Sequence, residues 1–332
     1  MDWFEKLTGF RESDYDVTRS RLEVVDGRLH SKVNDQSYGI GNLEIASLKE
    51  LRQRTQPVLG NVVGRVKVSC ISGDVRTMHR DPANGNALFQ VASQFNLLEM
   101  TAPNVSPEAG VTRYAHDHTQ GPACAIAAGA ATIYRNYFAD VDGHSGQKRE
   151  RQIDCLRDLG AALGNHSEAL WMMRNGYALC TDEGLAAIDH QLAASSDAQI
   201  DELRGLLQIG LHWDVEVTDK PNPCPVVSQA FCSALPVSYS SVPAPRWRAF
   251  ATLILEAAYE ATLWAATLNK LRSSSNVVFL TQLGGGAFGN DDSWVQSALR
   301  RALDFFKTVG LDVRIVSYRA PSPDLVRLAN EY

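Results

Sequence analysis

The sequence predicts an α/β protein whose sheet is covered by helices on both faces. Three observations predict it. Short strand-like runs alternate with longer helical patterns along most of the chain. Residues 121–134 are small and apolar with a proline near their start, which suits a buried helix that a sheet can approach closely. An apolar run at 276–280 drops into glycines at 284–289 and then into a periodic segment, the strand, loop and helix of an anion cradle.

The elements follow in order. Residues 1–60 are mixed and charged, polar at 31–38, and read as an N-terminal extension packing on the main domain. Period-two alternation at 61–71 reads as a strand ending in the turn 72–75, and 87–93 reads as a second strand after the polar patch 79–86. The helix 121–134 follows. Residues 147–211 carry leucines at helical spacing, among them Leu156, Leu159 and Leu163, and predict a helical insertion at about 143–211. Residues 213–217 and 226–235 read as strands separated by Pro221, Pro223 and Pro225. A long helix at 248–271, the strand 276–280, a helix at 293–309 and a last strand at 311–317 complete the chain.

The 332 residues are 45% apolar and 21% charged, the balance of a soluble globular protein with a sizeable core. A net charge of −6 gives no overall attraction to nucleic acid. The first residues lack a basic stretch followed by an apolar one, and no run reaches the length of a membrane span, so the expectation is a cytoplasmic protein without membrane partners. Six cysteines occur without a C-x-x-C pair, which suits neither a zinc knuckle nor a disulfide framework and leaves them as small core residues. Neither a cofactor nor a metal is called for.

The stretch Leu280-Thr281-Gln282-Leu283-Gly284-Gly285-Gly286-Ala287-Phe288-Gly289-Asn290 holds the most chemistry. Glycines let backbone N–H groups come within hydrogen-bonding distance of a ligand, and those of a loop before a helix favour phosphate oxygens. The stretch has neither the Lys-Ser/Thr ending of a P-loop nor the G-x-G-x-x-G spacing of a dinucleotide fold. A purely structural turn is the alternative, but Phe288 is a large apolar side chain where turns prefer polar ones, and an aromatic there can stack on a sugar or base.

Three segments occur in the order found in macrodomains, the ADP-ribose-binding α/β/α modules. Gly73-Asp74-Val75 after a strand resembles their Gly-Asp-Ile segment. Gly121-Pro122-Ala123-Cys124-Ala125-Ile126-Ala127-Ala128-Gly129 resembles their glycine-led helix start, and 280–290 resembles their second phosphate loop, in a form most like the poly(ADP-ribose) glycohydrolase branch. The resemblance covers about half of the chain, roughly 61–135 and 226–317. It implies one three-layer α/β/α domain with a mixed sheet over 61–332. It also implies that Asp74 accepts from the adenine amino group and that Val75 lies beside the ring. Gly284, Gly285, Gly286, Ala287 and Gly289 would hold the diphosphate and Phe288 would pack on the distal ribose, with Gln94, Gly121 and Asn290 among the ligand contacts. Departures are equally plain. The usual Asn-Ala-Ala-Asn segment corresponds to 91–96, with only Asn96 equivalent. The glycine loop that should follow is replaced by Leu97-Leu98-Glu99-Met100 and a longer segment, Ala123 stands where one branch has an aspartate, and a single Glu99 stands near the place of paired glutamates.

Glu99 lies between Leu98 and Met100, where desolvation raises a carboxyl pKa and suits it to general acid work at a glycosidic bond. The alternative is a helix cap or an ion pair with Arg113 or Arg135. Gln90, Gln94 and Asn96 can bond ribose hydroxyls and orient a water, or equally the loop backbone. His116-Asp117-His118 invites a metal, although adjacent residues rarely converge on one ion. Cys232 in an apolar strand reads as an inert thiol. The expectation is a protein that binds ADP-ribose or an ADP-ribosylated macromolecule and hydrolyses the ribosyl linkage with Glu99 and Asn96. The alternatives are a reader without turnover, an enzyme acting on another NAD-derived nucleotide, and a scaffold whose vestigial loop leaves Phe288 and the glycines buried against protein.

Overall fold

The computed structural model describes residues 1–219, 224–272 and 275–332; Pro221 and Pro223 lie outside the described residues. Its centre is a seven-stranded mixed sheet. The strands are β1 (Asn42–Ser47), β2 (Lys67–Ser72), β3 (Leu88–Ala92), β4 (Gln208–Glu216), β5 (Val226–Cys232), β6 (Val277–Leu280) and β7 (Asp312–Ser317). Their order across the sheet is β1-β4-β5-β3-β6-β7-β2. Strands β5, β3, β6, β7 and β2 are mutually parallel, and β4 runs against both of its neighbours.

Central strand β3 explains the layering. Leu88, Phe89, Gln90 and Val91 are all buried, as in a strand covered on both faces. Successive side chains point to opposite faces. Phe89 stacks on His79 from the helix Val75–Arg80, with ring centroids 3.8 Å apart. The next residue, Gln90, donates from Nε2 to Thr262 Oγ1 of the helix Arg248–Leu271 at 2.8 Å. Helices therefore pack on both sides, and the fold is the three-layer α/β/α arrangement that the sequence predicts.

Several elements differ from expectation. Of the stretch 61–71 only the end is strand, because residues 56–62 coil into 3-10 turns. The helix expected at 121–134 is two helices, Gln120–Ala127 and Gly129–Tyr137, broken at Ala128, whose ψ is 59°. Gly129 sits so close to Trp3 and Leu7 that a Cβ would lie 2.6 Å from Leu7 Cδ1. Within 147–211 the helices Arg157–Leu163, Asp182–Ala194 and Asp197–Leu206 form, but Trp171–Arg174 and Tyr177–Cys180 pair as an antiparallel hairpin. Its turn residues, Asn175 and Gly176, both have positive φ, the geometry that an Asn-Gly pair favours in a two-residue hairpin. Residues 208–211 belong to β4, and β1, from the first sixty residues, is an edge strand of the sheet.

Beside the main core lies a second apolar cluster. Trp3, Phe4, Leu7 and Phe10 of the N-terminal segment join Ala125, Ile126, Ile133 and Tyr137 there, together with Leu98, Met100 and Tyr114. The residues flanking Glu99 are thus anchored in a core that the first residues help to build. Cys124, Cys155, Cys180 and Cys232 are buried, in keeping with small core residues. No helix among the described residues is long and apolar enough to cross a membrane.

Candidate active site

The parallel strands end on one side of the sheet, and the loops that follow them enclose a cavity of about 370 Å³. Ligands in open α/β sheets bind in this position, outside the carboxyl ends of the strands. Gly73, Asp74 and Val75 follow β2, Ser93 and Gln94 follow β3, Ala234 and Tyr239 follow β5, and Gly284, Gly286, Ala287 and Phe288 follow β6. Val316, Ser317 and Tyr318 close it from β7, and Asp117 through Ala123 bring in a helix start.

The glycine loop is held from below and open above. Tyr259 of the long helix donates its hydroxyl to Thr281 O at 2.7 Å and accepts from Leu283 N at 2.9 Å. Asn290 donates from its amide side chain to Leu235 O at 2.8 Å, and its N–H reaches Gly284 O at 2.9 Å. At Gly284 φ is +68°, and a Cβ would stand 2.5 Å from the Ala234 methyl, so only glycine fits. At Gly286, by contrast, a Cβ would meet nothing within 4 Å. Gly285, Gly286 and Ala287 are exposed and Phe288 is half-buried, which contradicts a vestigial loop packed against protein. Among the described residues no acceptor takes the N–H of Gly286, Ala287 or Phe288, leaving three donors free on one short segment. Such a segment attracts an anion.

Phe288 belongs to an aromatic trio. Its ring centroid lies 5.4 Å from Tyr177 and 5.6 Å from Tyr239, and the two tyrosines are 5.2 Å apart. Sequence reasoning missed Tyr177 and Tyr239. Tyr177 sits in the hairpin, whose Asn175-Gly176 turn between apolar residues is a signal the sequence does carry. Tyr318, 79% exposed at the rim, was missed as well.

Glu99 stands in a tight turn after β3. Leu97 has φ of +63°, Gln94 N donates to Leu98 O at 3.1 Å, and Gln94 Oε1 accepts from Met100 N at 2.6 Å. Tyr177 donates its hydroxyl to Met100 O at 2.5 Å, and the Tyr114 hydroxyl oxygen accepts from Glu99 N at 3.1 Å. The Glu99 carboxyl is 3% exposed and lines the cavity. Its Oε1 is buried without a hydrogen-bond partner, and its Oε2 lies against Gly121, where a Cβ would come within 2.3 Å of it. Burial pushes this carboxyl well above the usual range, opposed by the Arg135 guanidinium and assisted by Asp117. Burial therefore favours the protonated form of this carboxyl.

Arg135 is itself fully buried. It donates to Leu97 O at 3.2 Å and to Thr132 Oγ1 at 2.9 Å, and lies over the Phe231 ring at 3.9 Å. Burial pulls it down to about 10. The alternative expected from sequence, a Glu99–Arg135 salt bridge, does not form within contact distance among the described residues. Gln120 docks the helix start on β3, accepting from Ala92 N and donating to Gln90 O, both at 2.8 Å.

The remaining candidates separate into two groups. Asp74, Val75, Gln94, Glu99, Gly121, Gly284, Gly286, Ala287 and Phe288 line the cavity. Asp74 also caps the helix Val75–Arg80, accepting from Arg76 N at 3.0 Å. Asn96 does not line the cavity: it is fully buried, donates to Gln152 Oε1 at 2.8 Å and accepts from Leu98 N at 3.1 Å, which makes it a brace of the turn. Gly285, Gly289 and Asn290 shape the loop from outside the lining. Gly289 has φ of +71° and a Cβ there would collide with Ser238. Gln90 bonds Thr262 and the Thr281 amide and belongs to the core. His116 and His118 are exposed, Asp117 bonds Thr119, and no group of three or more His, Cys, Asp or Glu able to hold a metal gathers among the described residues.

No family model matches the chain, and no curated protein does. Among solved structures the chain is similar to poly(ADP-ribose) glycohydrolase from Deinococcus radiodurans in complex with ADP-ribose, at 12% identity and a TM-score of 0.47, covering 87% of this chain and 93% of that one. It is similar also to poly(ADP-ribose) glycohydrolase from Thermomonospora curvata bound to the inhibitor ADP-HPD, at 13% identity and a TM-score of 0.45, covering 92% and 94%.

Proposed function

We propose that this chain binds ADP-ribose, free or attached to a macromolecule, and hydrolyses the ribosyl linkage with Glu99 as general acid. One observation carries the reading: a buried carboxyl with an unpartnered oxygen lines the same cavity as a glycine loop with free N–H donors. The volume of the cavity suits a drug-sized ligand. In this reading the N–H groups at 286–288 hold the diphosphate, Phe288 with Tyr177 and Tyr239 walls the distal ribose, and Asp74, Val75 and Tyr318 receive the adenine.

The chemistry follows from the state of Glu99. Its proton passes to the leaving oxygen as the glycosidic C–O bond breaks and positive charge builds on the ribose ring. The carboxylate so formed faces the field of Arg135, which favours the ionised form. Water then adds to the anomeric carbon and returns a proton to Glu99, which restores the acid. Asp117 also lines the cavity, its charge acts on Glu99, and in this reading it orients that water.

Calorimetric titration with ADP-ribose, run beside Gly286→Glu, tests the binding half. Micromolar binding lost in the variant supports it, and no heat from the wild type discards it. Release of ADP-ribose from a conjugate, abolished in Glu99→Ala, tests the hydrolytic half; binding without release identifies a reader.

A further inference from the structure

Beyond the hairpin lies a second cavity, of about 680 Å³, walled by Asn104, Arg149, Arg151, Arg174 and Gly176 among others. It is built on different residues from the first. Arg149, Arg151 and Arg174 form no ion pair among the described residues, and Arg151 Nε is buried without a hydrogen-bond partner. Arg157 also lines it but is paired with Asp142 at 3.1 Å. Three carboxylates share the wall, Glu150, Asp154 and Glu168. Asp154 is turned to the Leu156 amide at 2.9 Å, and burial raises its pKa.

The two cavities share a partition. Tyr177 faces the first and its neighbour Gly176 the second; Thr101 faces the first and Asn104, three residues on, the second. Three residues of extended chain span only about 10 Å. The partition is also tied to the turn of Glu99. Asn96 donates to Gln152, Gln152 to Asn175 Oδ1 at 2.9 Å, and Asn175 to Pro103 O at 2.7 Å.

We propose that the second cavity binds phosphate groups, and that it receives a phosphate-bearing chain leaving the first cavity beside Glu99. The adjacency rests on the ADP-ribose reading of the first cavity; the anion site rests on its own guanidiniums. A planar guanidinium with no carboxylate partner suits phosphate oxygens, and three around one hollow suit a chain of them.

Tripolyphosphate is the probe, titrated with the first cavity filled by ADP-ribose and again in Gly286→Glu. The wild type should bind it, and Arg149→Ala/Arg151→Ala/Arg174→Ala should weaken it by about tenfold or more and flatten its salt dependence. ADP-ribose affinity should stay within about twofold of the wild type. Should the triple variant melt early, Arg174→Glu alone must show the same loss. Tripolyphosphate affinity unchanged in these variants, or absent in the wild type, overturns the proposal. If ADP-ribose gives no heat, the reading of the first cavity fails, and the Gly286→Glu titration still decides the second.

Discussion

Glu99→Gln separates the two roles a buried glutamate can have. A glutamine matches a protonated glutamate in shape and charge, and Oε1 lies unpartnered on the cavity wall, so one end of the amide can turn toward the cavity. If Glu99 is a neutral acid, the substitution removes only the transferable proton. Turnover should fall by about 10²–10⁴, the usual contribution of general acid catalysis. Unfolding free energy should change by less than about 1 kcal/mol at about pH 4, where the carboxyl is largely protonated in the folded and unfolded chain alike. If Glu99 instead stands ionised against Arg135, losing one partner of a buried pair costs about 3–5 kcal/mol.

The pH dependence carries the same distinction. Burial raises the Glu99 pKa above its ordinary 4.5, so the wild type holds its full stability below that value and loses it as pH rises toward the folded-state pKa. The loss amounts to about 1.4 kcal/mol per pH unit across that window. Glu99→Gln lacks the titration and should gain on the wild type as pH rises. Urea denaturation from about pH 4 to about pH 9 reads the difference, and release of ADP-ribose from a conjugate reads turnover. A variant that turns over normally, or one that loses several kcal/mol at neutral pH, refutes the assignment.

The glycine loop offers a contrast of two alanines: Gly284→Ala, with its left-handed φ and its clash at 2.5 Å, should cost about 2–4 kcal/mol in chemical denaturation. Gly286→Ala has neither fault and should leave stability within about 0.5 kcal/mol while weakening ADP-ribose, which titration calorimetry measures. His79 is held neutral by burial, its pKa lowered from 6.5 to about 4, so its contribution is present above 6.5 and is lost as pH falls. Across that window of about 2.5 units the loss is about 3 kcal/mol, and acid denaturation of His79→Gln should be correspondingly less steep. Tyr177→Phe removes the donor to Met100 O and should cost about 1–2 kcal/mol; kcat should fall more than ADP-ribose affinity, because the hydroxyl braces the turn of Glu99.

What the sequence made legible follows the range of each signal. The loop at 280–290 was readable because its glycines answer to local backbone needs, positive φ at Gly284 and Gly289 above all. Glu99 was readable because its apolar neighbours are adjacent in the chain. Asn96 entered the expectation through the resemblance of 91–96 to a macrodomain segment, but β3 ends at Ala92. Beyond it the positive φ of Leu97 turns the chain, and the Asn96 amide meets Gln152 rather than the cavity. Tyr177 and Tyr239 reach Phe288 from segments far away in sequence, and no local pattern records that meeting.

The N-terminal segment shows how far the site extends beyond its lining. Glu12 accepts from Val111 N at 2.8 Å, from Thr112 N at 2.7 Å and from the Tyr137 hydroxyl at 2.8 Å. Those bonds fix the segment that leads to Tyr114, whose hydroxyl holds Glu99 N. Trp3, Phe4 and Leu7 share one apolar cluster with Leu98, Met100 and Tyr114, the groups that enclose Glu99. A carboxyl keeps a raised pKa only while water stays away from it. The acid on the cavity wall is therefore maintained by residues more than eighty positions earlier in the chain, none of which lines the cavity.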